Sequence, residues 1–270
     1  MRGAGVVIVV NPSAGPGRRA DPTDQLRRDL PDAEVVELDD GVLASAARRA
    51  DTLGVAGGDG TVNAAAAAAY DEGKPLLVVP GGTLNHFARD LGVESVDDAV
   101  AAVSQGSTVE VDVGTIAGRP FLNTASFGAY VDLVDARERL ERWLGKWPAA
   151  VVALVVVFLR TKPVDVEIDG RRSKVWLAFV GNCAYEPAGF APVRRSCLAD
   201  GELDIRVVER THRLGRPRLR SWKASQLRVR SLDGPLRLAR DGETFDGPEE
   251  FVVTKAERRL RVFGPGPDAV

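Results

Sequence analysis

Cysteine, methionine and histidine are scarce in this 270-residue chain, which holds two, one and two of them. Cys183 and Cys197 lack the close spacing of a metal-binding pair, and His86 and His212 stand far apart, so the pattern argues against a zinc site. Isolated cysteines of this kind suit a reducing compartment, where a free thiol behaves as a small buried hydrophobe, and the expected location is cytoplasmic. A surplus of charge is missing too. The formal net charge of −2 argues against a dedicated nucleic-acid binder. Long apolar runs are short in supply: Ala149 to Leu159 extends for eleven residues, about 16 Å as a helix, against about 30 Å for the hydrocarbon core of a bilayer. That run reads either as a buried helix or, with Trp143 and Trp147 interleaved among Arg139, Arg142 and Lys146 just before it, as a membrane interface or the mouth of an acyl-chain pocket. The apolar stretch Val6 to Val10 is too short for a secretory segment and reads as a first strand.

What remains is an ordinary globular composition, 44% hydrophobic and 27% charged, long enough for one large or two ordinary domains. Its most informative stretch is Gly57-Gly58-Asp59-Gly60-Thr61, where the apolar run Leu53 to Ala56 gives way to a helix of strong formers, Val62 to Tyr70. Glycine lets the backbone bend and approach a ligand closely, and the free N–H groups that open the next helix favour an anion. Asp59 would repel a polyphosphate unless a cation lay between them, which points to Mg²⁺. A tight turn with an exposed Asp would account for these five residues alone. Two further loops shift the balance. Asn11-Pro12-Ser13-Ala14-Gly15 follows the strand Val6 to Val10, and Pro80-Gly81-Gly82-Thr83-Leu84-Asn85 follows the strand Leu76 to Val79. In an open parallel sheet such strand ends lie along one edge, where ligands bind. The nucleotide candidates are Asn11, Ser13, Gly15, Arg18, Gly57, Gly58, Gly60, Thr61, Gly82, Thr83 and Asn85, with Thr61 and Thr83 equally able to cap the helices beside them.

This triplet, in this order and at these separations, resembles the diacylglycerol kinase catalytic family of bacterial lipid kinases and sphingosine kinases, which is related to NAD kinases. Asp200-Gly201-Glu202-Leu203-Asp204 and Asp241-Gly242-Glu243 resemble the family's two later acidic motifs. The resemblance implies an α/β nucleotide-binding domain with a parallel sheet, followed by an antiparallel β-sandwich. It implies ATP as co-substrate, Asp59 and Asp112 at a catalytic Mg²⁺, and Asp241 as general base with Glu243 orienting or assisting it. It also implies a structural cation held by Asp200, the Leu203 carbonyl and Asp204. Where the family commonly carries Asn-Asp before Phe-Ala-Arg, this chain has Asn85-His86, so Asp112 is expected to carry more of the metal's task.

The expected organisation is a nucleotide-binding domain over residues 1–114, then a β-sandwich over 115–252 with a helical insertion at about 131–161, and a tail at 253–270 that in the family returns to the first domain. From Arg206 to Arg230 inclusive there are nine Lys or Arg and a single acid, Glu209. Arginines on exposed strand faces are usually solvated, and the alternative is attraction to anionic lipid. The expected function is an ATP-dependent lipid kinase acting on a diacylglycerol-like hydroxyl, with peripheral contact to the inner membrane surface, no nucleic-acid partner, and homodimer formation left open. The alternatives are an NAD kinase-like enzyme and a nucleotide- or lipid-binding regulatory protein without turnover.

Overall fold

The computed structural model describes residues 3–14, 22–82, 85–128, 162–186, 194–195, 197–210 and 217–265. The chain divides into two compact units, one made of Met1–Val113, Arg194–Asp200 and Ala256–Val270, the other of Gly114–Val193 and Gly201–Lys255. The helical insertion expected at 131–161 lies outside the described residues.

The first unit alternates strands and helices: β1 (Val6–Val10), α1 (Thr23–Asp29), β2 (Glu34–Glu37), α2 (Val42–Arg49), β3 (Thr52–Gly57), α3 (Asp59–Asp71), β4 (Leu76–Pro80), α4 (His86–Asp90), α5 (Val96–Gln105) and β5 (Thr108–Val111). Every residue of β1, β3 and β4 is buried, as expected of strands covered by helices on both faces of a parallel sheet. Val9 pairs with Val55 and Val55 with Val78, so these strands run parallel and in register. β2 carries Glu34 and Glu37 because it is the sheet's edge. α5 starts on a reciprocal cap in which the Ser95 hydroxyl accepts from Asp98 N–H and the Asp98 carboxylate accepts from the Ser95 N–H.

The paired strands of the second unit's large sheet run antiparallel. The unit's strands are β6 (Gly114–Ile116), β7 (Arg119–Phe121), β8 (Thr124–Gly128), β9 (Val164–Ile168), β10 (Arg171–Asn182) and β11 (Tyr185–Glu186). After β12 (Arg194–Arg195), which belongs to the first unit, come β13 (Leu203–Arg210), β14 (Pro217–Ala224), β15 (Gln226–Ser231), β16 (Arg237–Arg240), β17 (Glu243–Asp246) and β18 (Glu250–Lys255). The main sheet runs β17-β16-β8-β10-β9-β15-β18-β6-β7, and β13 pairs with both β10 and β14. Alternation places Val166, Ile168, Val175, Ile205, Val207, Leu227 and Val229 in one buried cluster, where Phe127 and Phe251 meet edge to face at 5.5 Å between ring centroids.

The final strand, β19 (Leu260–Phe263), lies in the first unit's sheet, whose order is β2-β1-β3-β4-β19-β5. It pairs parallel with β4 and antiparallel with β5. This sheet is therefore mixed at one edge rather than wholly parallel. Much of the stretch expected as a tail is structured: β18 reaches Lys255, and Gly264 both donates to the Ser107 carbonyl and accepts from the Ser107 hydroxyl. Among the described residues, no helix is long and apolar enough to cross a membrane.

Candidate functional site

Three loops leave neighbouring strand ends of the first unit's sheet. Val10 pairs with Ala56 and Gly57 with Pro80, so the loops after β1, β3 and β4 open along one edge. They are bonded to each other. Asn11 N–H donates to the Ala56 carbonyl at 2.8 Å, and the Asn11 side-chain amide donates to Thr61 Oγ1 at 2.8 Å. The Asn11 side-chain carbonyl also accepts from Ser13 N–H at 3.0 Å, which tightens the first loop.

The second and third loops touch backbone to backbone. Gly81 N–H donates to the Gly57 carbonyl at 3.0 Å. A Cβ on Gly82 would stand 2.6 Å from Gly58 Cα, and one on Gly81 would stand 2.9 Å from Gly57 N. Close approach therefore demands glycine here. Gly60 differs, because among the described residues nothing lies within 4 Å of where its Cβ would be. The third loop is closed by Asn85, left-handed at φ 47, whose carboxamide accepts from Gly82 N–H at 2.8 Å and donates to the Gly82 carbonyl at 2.9 Å. Asn11 and Asn85, both expected at the nucleotide, thus spend their side chains on holding loops together. His86, in the first turn of α4, is exposed.

α3 begins at Asp59, three residues earlier than the sequence pattern indicates, and so places that carboxylate in its first turn, where the helix dipole favours negative charge. Asp59 Oδ1 is buried and finds no hydrogen-bond partner among the described residues. A buried carboxylate oxygen left in this state is costly unless a cation or donor answers it. Asp112, expected to share a metal with Asp59, has a different neighbour: Arg259 Nε donates to its Oδ1 at 2.8 Å, while the same guanidinium reaches the Ala199 carbonyl at 3.2 Å. Its backbone N–H donates to the Leu198 carbonyl at 2.8 Å, and an oxygen of Asp200 lies within 4.8 Å of its carboxylate.

In the second unit, Asp241 and Gly242 form the turn of the β16–β17 hairpin, with Asp241 left-handed at φ 47. Its carboxylate does more than turn the chain. Oδ2 accepts from Leu122 N–H at 2.8 Å, and Oδ1 accepts from the N–H groups of Asn123 and Thr124 at 2.8 and 2.9 Å. Glu243, next but one, is exposed, with Arg240 3.9 Å away. Asp204, expected at a structural cation, is instead answered by an arginine: Arg206 makes a two-pronged pair with it at 3.0 and 2.6 Å, and Tyr185 N–H adds a third bond at 3.1 Å. Leu203 lies within β13, opposite Asn182 and Ala224. Gly15, Arg18 and Thr83 lie outside the described residues.

Residues 5–116 match the family model described as diacylglycerol kinase catalytic domain. Those residues are thus similar to a diacylglycerol kinase catalytic domain. A diacylglycerol kinase of Bacillus subtilis (strain 168) is 30% identical over 177 residues, covering 62% of this chain and 58% of that protein, so the matched part spans under two thirds of that relative. A diacylglycerol kinase of Staphylococcus aureus (strain bovine RF122 / ET3-1) is 28% identical across an alignment that covers 96% of this chain and 91% of that protein. The crystal structure of a diacylglycerol kinase from Bacillus anthracis str. Sterne superposes with a TM-score of 0.68 at 22% identity, covering 98% of both chains, which shows the shared fold.

The first unit contains polar residues that sequence reasoning missed. Arg259 and the buried pair of Arg195 with Asp90 lie far in sequence from the motifs they meet: Arg195 Nε donates to Asp90 Oδ2 at 2.8 Å across 105 positions. No local pattern announces such a partner.

Proposed function

We propose that this chain is an ATP-dependent lipid kinase that transfers the γ-phosphoryl group to the hydroxyl of a diacylglycerol-like lipid. The observation that carries this reading is the set of glycine loops packed along one sheet edge beside Asp59, within a segment that matches the diacylglycerol kinase catalytic domain.

Phosphoryl transfer asks the protein to hold phosphates, answer their charge and align an acceptor. The N–H groups opening α3 and the loops at Gly58, Gly60 and Gly82 are suited to phosphate oxygens. Asn11, Thr61 and Asn85 would act by fixing those loops. Mg²⁺, when bound, would neutralise negative charge on the phosphates. Asp59 fits such an ion, because its buried Oδ1 lacks a donor among the described residues. Asp112, engaged by Arg259, enters only as a residue that shapes its surroundings. Asp204, engaged by Arg206, gives no ground for a structural cation.

For the acceptor's proton, the bonding favours dividing the work of the Asp-Gly-Glu turn. Asp241 is committed to three backbone N–H groups and would anchor the turn, while Glu243 is the exposed carboxylate able to take a proton. Peripheral membrane contact has some support in β14, where Arg218 and Leu219 are exposed, Leu219 by 43%. Other basic residues of that stretch serve pairs: Arg206 with Asp204 and Arg220 with Glu209.

The deciding experiment supplies γ-labelled ATP with vesicles containing diacylglycerol, with sphingoid lipid and with NAD. Label in the diacylglycerol product supports the reading. Label in NAD alone overturns it in favour of an NAD kinase, and ATP binding without transfer to any acceptor overturns it in favour of a regulatory protein.

A further inference from the structure

We propose that Arg195 and Asp90 are positioning residues for the third glycine loop, so that a buried ion pair sets how well the chain binds ATP. The proposal rests on the nucleotide reading given above. Arg195 is the largest fully buried side chain described, at 0% exposure, and Asp90 is 9% exposed. Arg195 Nε donates to Asp90 Oδ2 at 2.8 Å, and its guanidinium lies over the Phe87 ring at 5.6 Å from the centroid. Both contacts fall on α4, a helix of five residues.

A helix that short has little stability of its own. Its placement has to come from what it packs against. Phe87 and Ala88 are buried in the first unit, and Arg195 adds a charged anchor one turn later. The residue immediately before α4 is Asn85, whose carboxamide closes the third loop onto Gly82, and Gly82 is the glycine that meets Gly58 of the second loop. A continuous set of contacts therefore runs from Arg195 through Asp90, α4, Asn85 and Gly82 to the loop that carries Asp59.

An arginine on a well-packed apolar core would be an unfavourable choice for stability alone. Desolvating two charges consumes much of what their attraction returns, and apolar replacements of similar volume commonly do as well or better. What the pair supplies is orientation, since an ion pair through a planar guanidinium fixes α4 in one direction and rotation. Arg195 belongs to Arg194–Asp200, a short segment counted in the first unit although the chain on both sides of it lies in the second. The third loop is thus held by a residue from well beyond the matched segment 5–116.

The test measures ATP affinity by calorimetry, without lipid, together with thermal stability, in the full chain and in R195M, D90N, R195K and the double variant D90N/R195M. R195M or D90N alone breaks a buried ion pair from one side, and either variant can unfold. The double variant and R195K keep the question open to measurement. The expected result is that D90N/R195M melts close to the unvaried chain yet binds ATP at least tenfold more weakly, with R195K between them. D165N, which breaks the Arg172 pair in the second unit, serves as control and is expected to lower the melting temperature with ATP affinity unchanged. A folded D90N/R195M that binds ATP within twofold of the unvaried chain overturns the positioning role and leaves the nucleotide reading intact. An unvaried chain that binds no ATP overturns the nucleotide reading, and the proposal with it.

Discussion

The side-chain amide of Asn11 donates to Thr61 Oγ1 at 2.8 Å across fifty positions of sequence, tying the loop after β1 to the first turn of α3. Thr61→Val keeps the shape and removes the acceptor. The loss of this partly buried bond is expected to cost about 1 kcal/mol of stability and to weaken ATP binding several-fold by loosening the first loop. Chemical denaturation and calorimetry on the same preparation check both effects.

Gly60 and Gly82 make opposite predictions. Gly82→Ala would drive a Cβ to 2.6 Å from Gly58 Cα, so two loops must separate, and both stability and ATP affinity are expected to fall. At Gly60 the space is open among the described residues and the position is helical. Gly60→Ala is therefore expected to gain about 0.5–1 kcal/mol of stability and, if phosphate approaches that backbone, to lose ATP affinity at least tenfold. Equal ATP affinity in Gly60→Ala and the unvaried chain would remove that approach from the nucleotide model.

Asp59→Asn replaces a carboxylate whose buried Oδ1 lacks a partner among the described residues. Without ligands, the variant is expected to melt at the same temperature or higher. Adding ATP with Mg²⁺ is expected to raise the melting temperature of the unvaried chain and to do so much less in Asp59→Asn, and chelation with EDTA should make the two chains behave alike. A full Mg²⁺-dependent shift in the variant would exclude Asp59 as the cation's ligand.

The Asp-Gly-Glu turn separates anchoring from chemistry. Asp241→Ala deprives the N–H groups of Leu122, Asn123 and Thr124 of their acceptors and removes the short polar side chain that lets this position tolerate φ 47, so a loss of about 3 kcal/mol or more is expected. Glu243→Gln, at an exposed site, should leave stability within about 0.5 kcal/mol and reduce the turnover number on lipid at least a hundredfold, with the ATP KM little changed. Near-normal turnover in Glu243→Gln alongside a folded, inactive Asp241→Asn would return the base to Asp241.

Acid should weaken two local devices. The Ser95 hydroxyl holds Asp98 below the usual carboxylate range, helped by the backbone N–H groups of Glu94 and Ser95, and the Arg172 guanidinium does the same for Asp165. A lowered folded pKa means that the stabilisation is complete above the unfolded value of about 3.9 and is lost as pH falls through the lower folded value. Ser95→Ala is expected to cost about 1 kcal/mol at neutral pH. Its deficit, and that of Arg172→Ala, should shrink between about pH 4 and pH 2 in urea titrations. A deficit independent of pH would mean that neither carboxylate's charge matters.

The glycine loops were legible because their cause is local: a strand end, a bend and a helix start fit within six residues, and only glycine allows Gly81 and Gly82 to lie on Gly57 and Gly58. The alternation of β1 to α5 was legible for a similar reason, since strands buried on both faces read as continuous apolar runs. The bonding partners of individual side chains were not. Asp112, Asp204 and Asp241 each look like available carboxylates in sequence, yet Arg259, Arg206 and three backbone N–H groups occupy them. Even Arg206, two positions from Asp204, gave no sign: a strand's period of two puts both on one face, but a shared face does not by itself say that the two side chains pair. β14 carries little sequence signal because its pattern Pro217–Ala224 is largely exposed, and β19 because it is only four residues long, with two arginines before it and a third inside it.

The place of β19 bears on how the chain comes off the ribosome. Residues 76–77 of β4 are made early, yet their neighbours on one side are residues 262–263. Until those emerge, β4 presents an open edge and β5 has no strand to join, a combination prone to pairing with other chains. Assembly of the nucleotide half must then wait for the intervening antiparallel half to be synthesised, and deletion of residues beyond 255 is expected to yield a chain that aggregates during expression although every glycine loop is still encoded.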